Sequence, residues 1–429
     1  MFSSPLELFK ALTQIPHSSG DTTLMQKFLI QSAQSFGALV SVDSAGNILC
    51  QKGDSPRFCL QAHYDMVCVG KAPEIELFEE GGWLRAKDSS LGADNGAALA
   101  CFLILLKQES SIEILFTNDE EIGMLGAKAL ELTPSAPLIL NVDSESLQEV
   151  VISCAGGYDL ELEIPATFKE TPAEGYLYEL STQNFLGGHS GIDIIKNHPN
   201  ALVEMAHLLA SLPVEILSFE GGEKSNSIPV HAKASLFSSR PLEHLPSWIR
   251  ATARPLSSPL KALDQTPLLD LLRALHSGIF AYDEESSGVL DSLNISLLKA
   301  HEKGWTLTLM GRANDKERLW RNLERARLIA RAFGIKEDRL KDFYPPWEKA
   351  KSSSYLEKIK EVYERELGVC HVRSIHAGLE CAVLQEKLPK AEFISIGPTI
   401  LHPHSTREAL DIKSFERFWE ILQIITKVL

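Results

Sequence analysis

Histidine and carboxylate residues stand in five separate stretches of the chain, and their types suit metal-dependent hydrolysis. The stretches are AHYDMV with His63 and Asp65, SSLGADNGAA with Asp94, TNDEEIGMLGA with Glu120 and Glu121, NVDSE with Asp143, and SIGPTILHPHS with His404. Zinc-like ions bind histidine nitrogen and carboxylate oxygen, and a hydrolytic site leaves one coordination position for water. Each residue alone has an ordinary interpretation, as a helix cap, a surface histidine or a solvated helix start. Together they predict a metal site.

The candidate ligands could hold two ions. Two ions about 3.5–4 Å apart need a carboxylate between them to offset their mutual repulsion, and Asp94 is our candidate for that bridge. We expect His63 and Asp143 to complete the ligands of one ion. Glu121 and His404 would complete those of the other.

Glu120 and Glu121 are adjacent, so on an extended backbone their side chains point in opposite directions. We expect Glu121 to face a metal and Glu120 to face the water that the metals polarise, as general base and then general acid. A metal lowers the pKa of bound water from ~15.7 to roughly 7, so a carboxylate can accept its proton at neutral pH. His63 and Asp65 lie two apart on a predicted strand and face the same way. Asp65 is therefore expected to hold the other ring nitrogen of His63.

Strand-like and helix-like segments alternate in the first part of the chain. RFCLQAHYDMV, SIEILFTND and APLILNVDS predict strands, and GADNGAALACFLILLKQE and MLGAKALELT predict helices. This alternation favours an α/β layer, in which ligands gather at the carboxyl ends of the strands. The candidate residues follow those ends.

A second block begins near STQNFLGGHSG, where a glycine pair interrupts the pattern. It contains a helix-like HPNALVEMAHLLASL, strand-like VHAKASLFS, NISLLKAHEKG and WTLTLMGR, and a charged helix DKERLWRNLERARLIARAFG. AEFISIGP then restores the strand pattern of the first block. We therefore predict an inserted domain at 184–342, flanked by 1–183 and 343–429.

Composition excludes several classes of partner. The 429 residues include 44% hydrophobic and 23% charged residues, which is typical of a globular protein of about two to three domains. A net charge of −15 opposes binding to nucleic acid and to anionic membranes. No apolar run reaches the ~20 residues that cross a bilayer, and the amino-terminal residues lack a signal-peptide pattern. Cysteines without paired spacing fit free thiols, so we expect a cytoplasmic protein.

Eight motifs together resemble the bacterial aminoacyl-histidine dipeptidases, also called cytosol non-specific dipeptidases. They are AHYDMV, SSLGADNGAA, TNDEEIGMLGA, NVDSE, LGGHSG, SNSIP, SIHAGLECA and SIGPTILHPHS. This family is part of a larger group of dinuclear zinc peptidases that includes carnosinase-like dipeptidases and aminoacylases. The resemblance implies an α/β fold: a catalytic domain with a mixed sheet flanked by helices, formed by both chain ends, plus an inserted α+β lid. It also implies a homodimer that hydrolyses unblocked dipeptides, Xaa-His among them, with two divalent ions. Zn²⁺ is the expected ion, and Mn²⁺ or Co²⁺ are alternatives.

The resemblance carries roles to individual positions. The metal ligands match His63, Asp94, Glu121, Asp143 and His404, the orienting acid matches Asp65 and the base matches Glu120. His404, rather than His402, matches the ligand because it precedes Ser405. Similar enzymes commonly continue His-Ser with Pro-Asp-Glu, whereas this chain has Thr406-Arg407-Glu408. That difference bears on the shape of the loop and on substrate preference.

Five further residues are candidates for substrate contacts. His189 in GGHSG matches a family histidine that approaches the scissile carbonyl oxygen, although a loop or capping role is the alternative. Asn226 in SNSIP could bond the substrate backbone. Arg312 could pair with the free carboxylate of a dipeptide, or it could be a solvated strand end. His376 and Glu380 in SIHAGLECA are assigned to the substrate surroundings.

Other functions remain open at this stage. An N-acyl amino acid deacylase or a tripeptide aminopeptidase of the same architecture would share the metals and the base. A metal-binding scaffold without catalysis is a third possibility, and the presence of Glu120 beside a full ligand set speaks against it.

Overall fold

The computed structural model describes residues 4–263, 266–283 and 288–429, which form two compact units. The first unit contains the chain up to Cys154 together with Trp347–Ser374 and Leu379–Leu429. The second contains Ala155–Pro346 and Ile375–Gly378. Both ends of the chain therefore lie in the first unit, and the second is an insertion.

Helices and strands follow one another in both units. The helices of the described residues are α1 (Pro5–Leu12), α2 (Thr23–Ser35), α3 (Ala93–Gln108), α4 (Leu125–Lys128), α5 (Ala201–Ser211), α6 (Thr266–Ala274), α7 (Lys316–Ala332), α8 (Ser354–Leu367), α9 (Glu380–Lys387) and α10 (Ile412–Val428). The strands up to the insertion are β1 (Leu39–Val42), β2 (Ile48–Lys52), β3 (Cys59–His63), β4 (Leu77–Glu80), β5 (Trp83–Ala86), β6 (Ile112–Thr117), β7 (Leu138–Asn141) and β8 (Glu149–Cys154). Those of the insertion are β9 (Gly156–Pro165), β10 (Phe168–Glu170), β11 (Gly175–Thr182), β12 (Gly188–His189), β13 (Glu215–Gly221), β14 (Ser227–Ile228), β15 (Ala232–Ser238), β16 (Ile249–Leu256), β17 (Lys261–Leu263), β18 (Gly278–Asp283), β19 (Gly288–His301), β20 (Gly304–Ala313) and β21 (Glu337–Tyr344). The last strands are β22 (His371–Ile375), β23 (Glu392–Ser395), β24 (Ile400–Leu401) and β25 (Ala409–Asp411).

The main sheet of the first unit has the order β1-β2-β6-β3-β7-β23-β8-β22. Its centre is parallel, since β3 pairs in parallel with β6 and β7, and β23 pairs in parallel with β7. Every residue of β3, β6 and β7 is buried, as expected for parallel strands covered on both faces. Helix α3 is buried continuously from Gly96 to Leu103 and belongs to the same core. The three predicted strands and the predicted long helix are confirmed.

One predicted helix of the first block is shorter than its pattern indicates. MLGAKALELT forms only the single turn of α4. The chain leaves this turn because the Glu131 N–H donates to the Asp43 carboxylate at 3.1 Å, and because Thr133 precedes Pro134, which disfavours helical geometry.

The second unit is built on an antiparallel sheet with the main order β16-β11-β15-β13-β19-β20-β9-β21. Buried residues of α5, α6 and α7 share one apolar core with this sheet. Asp315 caps α7 by accepting the Arg318 N–H at 2.8 Å, and the buried face of α7 includes Leu319 and Leu323. The arginines of this helix lie mainly on its other side, as its spacing predicts.

The boundaries of this unit differ from those predicted from the sequence. It begins at Ala155, not at 184, because β9 pairs with β20 and β21, and β11 pairs with β15 and β16. It extends past 342 to Pro346 because β21 continues along β9 as far as Tyr344. Within the described ranges, no helix has both the length and the apolar character needed to span a bilayer.

Candidate metal centre

Asp94 lies between two histidines from distant parts of the first unit. Its Oδ1 is 3.1 Å from His63 Nε2, and its Oδ2 is 3.1 Å from His404 Nε2. Asp143 Oδ1 lies 3.4 Å from His63 Nε2, and Glu121 Oε1 lies 2.8 Å from His404 Nε2. The structure thus brings the five candidate ligands together, with one carboxylate shared by two imidazole groups.

The strand ends explain how these side chains meet. His63 is the last residue of β3, the Glu120–Glu121 pair follows β6, and Asp143 follows β7. These three strands are parallel neighbours, so their carboxyl ends lie at the same edge of the sheet. Asp94 joins them from the start of α3, and His404 from the turn between β24 and β25.

Asp65 organises the loop that carries the two glutamates. Its carboxylate accepts the N–H groups of Glu120 at 2.9 Å and Glu121 at 3.3 Å, and the hydroxyl of Ser19 at 2.7 Å. His63 Nδ1 lies 3.0 Å from the backbone carbonyl of Asp65 and 3.5 Å from its carboxylate. The other ring nitrogen of His63 therefore faces both the carbonyl and the carboxylate of Asp65, and the carbonyl is the nearer of the two.

Two further residues of the centre were not singled out on the sequence. Ser19 reaches Asp65 from the IPHSSG segment, and Asn95 Nδ2 donates to Asp143 Oδ1 at 3.0 Å. Asn95 adjoins a candidate ligand, which is a usable sequence signal. The sequence gives no comparable signal for Ser19, which lies in a short polar segment far along the chain from the candidate ligands.

The electrostatics of the centre favour bound cations. Burial raises the pKa of Glu120 well above its usual range, burial and Asp94 raise that of Glu121, and burial raises that of Asp143 to about 6. Burial alone would lower the pKa of His63, but its neighbouring carboxylates outweigh this effect and raise it.

Glu121 Oε1 is buried without a hydrogen bond to any described residue, although an imidazole is nearby. Several carboxylates therefore face two imidazole rings, of which His63 is buried and His404 is 48% exposed. Divalent cations would offset this excess of negative charge, and the nitrogen and oxygen donors are those that zinc-like ions accept. Three of the candidate ligands, His63, Asp94 and Glu121, also offer donor atoms within 4.8 Å of one another. The residues present fit a metal centre.

Glu380, predicted to lie in the substrate surroundings, is fully buried at the start of α9 in the first unit. Its Oε2 accepts hydrogen bonds from Gln61 Nε2 at 2.7 Å and from the Thr117 hydroxyl at 2.6 Å. Burial raises its pKa to about 7. These bonds tie α9 to β3 and β6, so Glu380 supports the strands that carry the centre.

The other predicted contact residues belong to the second unit. His189 is in β12, and its Nδ1 accepts the N–H groups of Gly191 at 3.2 Å and Ile192 at 3.1 Å. Asn226 is exposed. Arg312 is buried, and its Nη1 donates to the Tyr344 hydroxyl at 2.6 Å.

His376, predicted to lie in the substrate surroundings, contacts two side chains of the second unit. Its Nε2 lies 2.7 Å from the Ser292 hydroxyl and its Nδ1 lies 3.0 Å from Asn314 Oδ1. Burial, together with nearby Arg312, lowers its pKa to about 3, so the ring is neutral. Both ring nitrogens are engaged inside the second unit, so His376 supports the structure of that unit and has no ring nitrogen left for a substrate.

Residues 59–427 match the model of peptidase family M20/M25/M40. The chain belongs to this family. Membership confirms the prediction of a metal-dependent hydrolase with a mixed α/β fold, and it supports a centre able to bind metal.

Two relatives cover nearly the whole of this M20 chain. It is 28% identical to the cytosol non-specific dipeptidase of Escherichia coli K12 over 98% of its length and 96% of that protein. It is also 28% identical to the aminoacylhistidine dipeptidase of Vibrio alginolyticus, whose crystal structure matches with a TM-score of 0.81 over 99% of this chain and 96% of the other. A Staphylococcus aureus tripeptidase matches at 17% identity and a TM-score of 0.59 over 99% of this chain and 98% of the other, which shows a shared fold. The resemblance stated from the motifs is confirmed.

The contacts of Asp65 lead to a prediction on cation binding. Asp65→Asn replaces one oxygen that accepts hydrogen bonds by an amide that donates, so the Glu120–Glu121 loop should lose its alignment. We expect Zn²⁺ affinity to fall by about 10–100-fold, the usual cost of losing a partner that orients ligands. Competition with a chromophoric chelator measures this affinity. Asp88→Asn, at an exposed pair with Lys71, is the matched control, and equal affinities in the two variants would contradict the role of Asp65.

Proposed function

We propose that this chain is a dinuclear metallo-dipeptidase that hydrolyses unblocked dipeptides, Xaa-His among them. The observation that carries the proposal is the position of Asp94 between His63 and His404, with the Glu120–Glu121 pair held beside them by Asp65. In this proposal the first unit is the catalytic domain and the second is the lid. The two dipeptidase relatives support the substrate class.

The centre has ligands for two ions, and Zn²⁺ is our first choice. His63 and Asp143 would hold one ion, Glu121 and His404 would hold the other, and Asp94 would be shared. Such ions polarise a carbonyl and lower the pKa of water toward neutrality.

Glu120 is assigned the proton transfers. Burial raises its pKa, so its carboxylate accepts and releases a proton more readily near neutral pH than an exposed glutamate would. It takes a proton from the attacking water and delivers it to the departing amine. The bond from its N–H to Asp65 fixes its backbone during both transfers.

His189 is assigned to the developing oxyanion. Because its Nδ1 accepts two backbone N–H groups, the ring proton of the neutral form resides on Nε2. The Nε2–H group is then a donor whose orientation is set in advance, as stabilisation of an oxyanion requires. The carbonyl oxygen of Asn226 accepts the Ser190 N–H at 2.8 Å, which ties SNSIP to the GGHSG loop and leaves the Asn226 side chain for the substrate backbone.

Arg312 is assigned to the free carboxylate of the dipeptide. Its guanidinium is buried, and Nε has no hydrogen-bond partner among the described residues. A buried cation with an unused donor is costly unless a ligand completes its hydrogen bonds. A carboxylate suits the planar fork of arginine.

A cytoplasmic location and a homodimer complete the proposal. All seven cysteines are free, which suits a reducing compartment. The name of the Escherichia coli relative points the same way.

A substrate panel tests the proposed function. Protein loaded with Zn²⁺ should hydrolyse Ala-His and Gly-His, whereas Ala-Ala-His and N-acetyl-histidine should react far more slowly. Amine release, followed by chromatography, is the measurement. Hydrolysis confined to N-acetyl-histidine would indicate a deacylase, a preference for Ala-Ala-His would indicate a tripeptidase, and inertness toward all would indicate a scaffold.

Glu120→Gln should separate cation binding from turnover. The amide keeps the size of the side chain but cannot accept the proton, so kcat for Ala-His should fall by about 10²–10⁴-fold. Zn²⁺ stoichiometry, measured by atomic absorption after gel filtration, should not change. Glu80→Gln, at an exposed position of β4, is the control. Near-normal turnover in Glu120→Gln would refute the assignment of the base.

Arg312→Met should weaken binding of substrates that carry a free carboxylate. Loss of a hydrogen bond to a charged group costs about 1.5–3 kcal/mol, so KM for Ala-His should rise by roughly 10–100-fold. KM for the uncharged Ala-His amide should stay close to that of the unchanged protein. Arg321→Met, at an exposed pair on α7, controls for loss of positive charge. A similar rise in KM for both substrates would count against carboxylate recognition.

A further inference from the structure

The buried carboxylate of Glu408 accepts hydrogen bonds from the backbone of the loop that carries Asp94. Its Oε2 accepts the N–H groups of Leu91 at 2.7 Å and Gly92 at 3.1 Å. Its Oε1 accepts those of Ala93 at 2.8 Å and Asp94 at 3.4 Å. Only 3% of Glu408 is exposed, so these bonds replace its hydration.

The turn that carries Glu408 also carries His404. Ser405 shapes this turn, because its carbonyl accepts the Glu408 N–H at 3.1 Å and its hydroxyl donates to the His402 carbonyl at 2.7 Å. Thr406 and Arg407, which differ from the pattern of similar enzymes, are exposed. The difference therefore falls at the surface of the turn, whereas Glu408 is buried and the His404 ring, 48% exposed, reaches Asp94.

The loop that carries Asp94, residues 91–94, is held by hydrogen bonds to a residue outside it, Glu408. Gly92 adopts a φ of 73°, and a Cβ at this position would lie 3.0 Å from the Met66 sulfur. Four consecutive N–H groups at the start of α3 point toward Glu408, where a negative charge is favoured by the helix dipole. Without Glu408 these donors would be left buried and unpaired, and the loop would have to rearrange.

We infer that Glu408 is a positioning residue that fixes Asp94 in its place between the two histidines. By holding the Asp94 loop from the turn of His404, it sets the spacing of two candidate ligands that are far apart in sequence. The inference rests on the proposed function, since it assumes that Asp94 and His404 bind metal. Glu408 itself contacts neither metal nor substrate, and it acts through the backbone of residues 91–94.

Glu408→Gln tests the inference with little change in volume. The amide retains one acceptor oxygen and turns a donor toward two N–H groups, so the loop should shift. We expect Zn²⁺ affinity of the folded protein to fall by about 10–100-fold, as for other residues that orient ligands. Glu416→Gln, an exposed glutamate of α10, is the control on the same terminal segment. Affinity is measured by titration against a chromophoric chelator, and folding by circular dichroism and thermal unfolding without metal.

The outcomes separate positioning from a purely structural role. A loss of Zn²⁺ affinity in Glu408→Gln with native circular dichroism, partly recovered in Glu408→Asp, supports the inference. A lower melting temperature with unchanged Zn²⁺ affinity overturns it, because Glu408 would then stabilise the fold alone. Failure of the unchanged protein to bind two Zn²⁺ ions would refute the proposed function instead, and binding by the unchanged protein is measured first.

Discussion

The confinement of several carboxylates beside two imidazole groups is the constraint on which the structure of the first unit depends. Asp94 shares its two oxygens between His63 and His404, and Asp143 and Glu121 approach the same rings. Like charges in a dehydrated space repel one another strongly, so this arrangement persists only if the surrounding backbone holds it. Metal ions would relieve the same repulsion.

Hydrogen bonds from backbone N–H groups hold the loops that carry several of these carboxylates. The Asp65 carboxylate binds the loop of the two glutamates, and the Glu408 carboxylate binds the loop of Asp94. In both cases the carboxylate of an acidic side chain near the centre accepts hydrogen bonds from backbone N–H groups. Asp65 and Glu408 thereby hold the two loops through hydrogen bonds that also compensate their own negative charges.

Polar side chains of the second unit are also held by hydrogen bonds to their neighbours. The neutral ring of His376 forms hydrogen bonds with Ser292 and Asn314 through its two nitrogens. These bonds connect His376 to the second unit. His189 and Arg312 are also oriented by hydrogen bonds to their neighbours. The residue types alone do not reveal these bonds.

The sequence by itself determined the candidate ligands, the candidate general base and the α/β character, because strand ends and their polar residues are local patterns. The buried strands β3, β6 and β7 could be predicted from short stretches that are mainly apolar. Only the tertiary structure decided the limits of the inserted unit, the partners of Asp65 and the contacts of Glu408. These depend on pairing between distant segments, such as the 314 residues that separate Asp94 from Glu408, and no local pattern records which distant N–H group a carboxylate will meet.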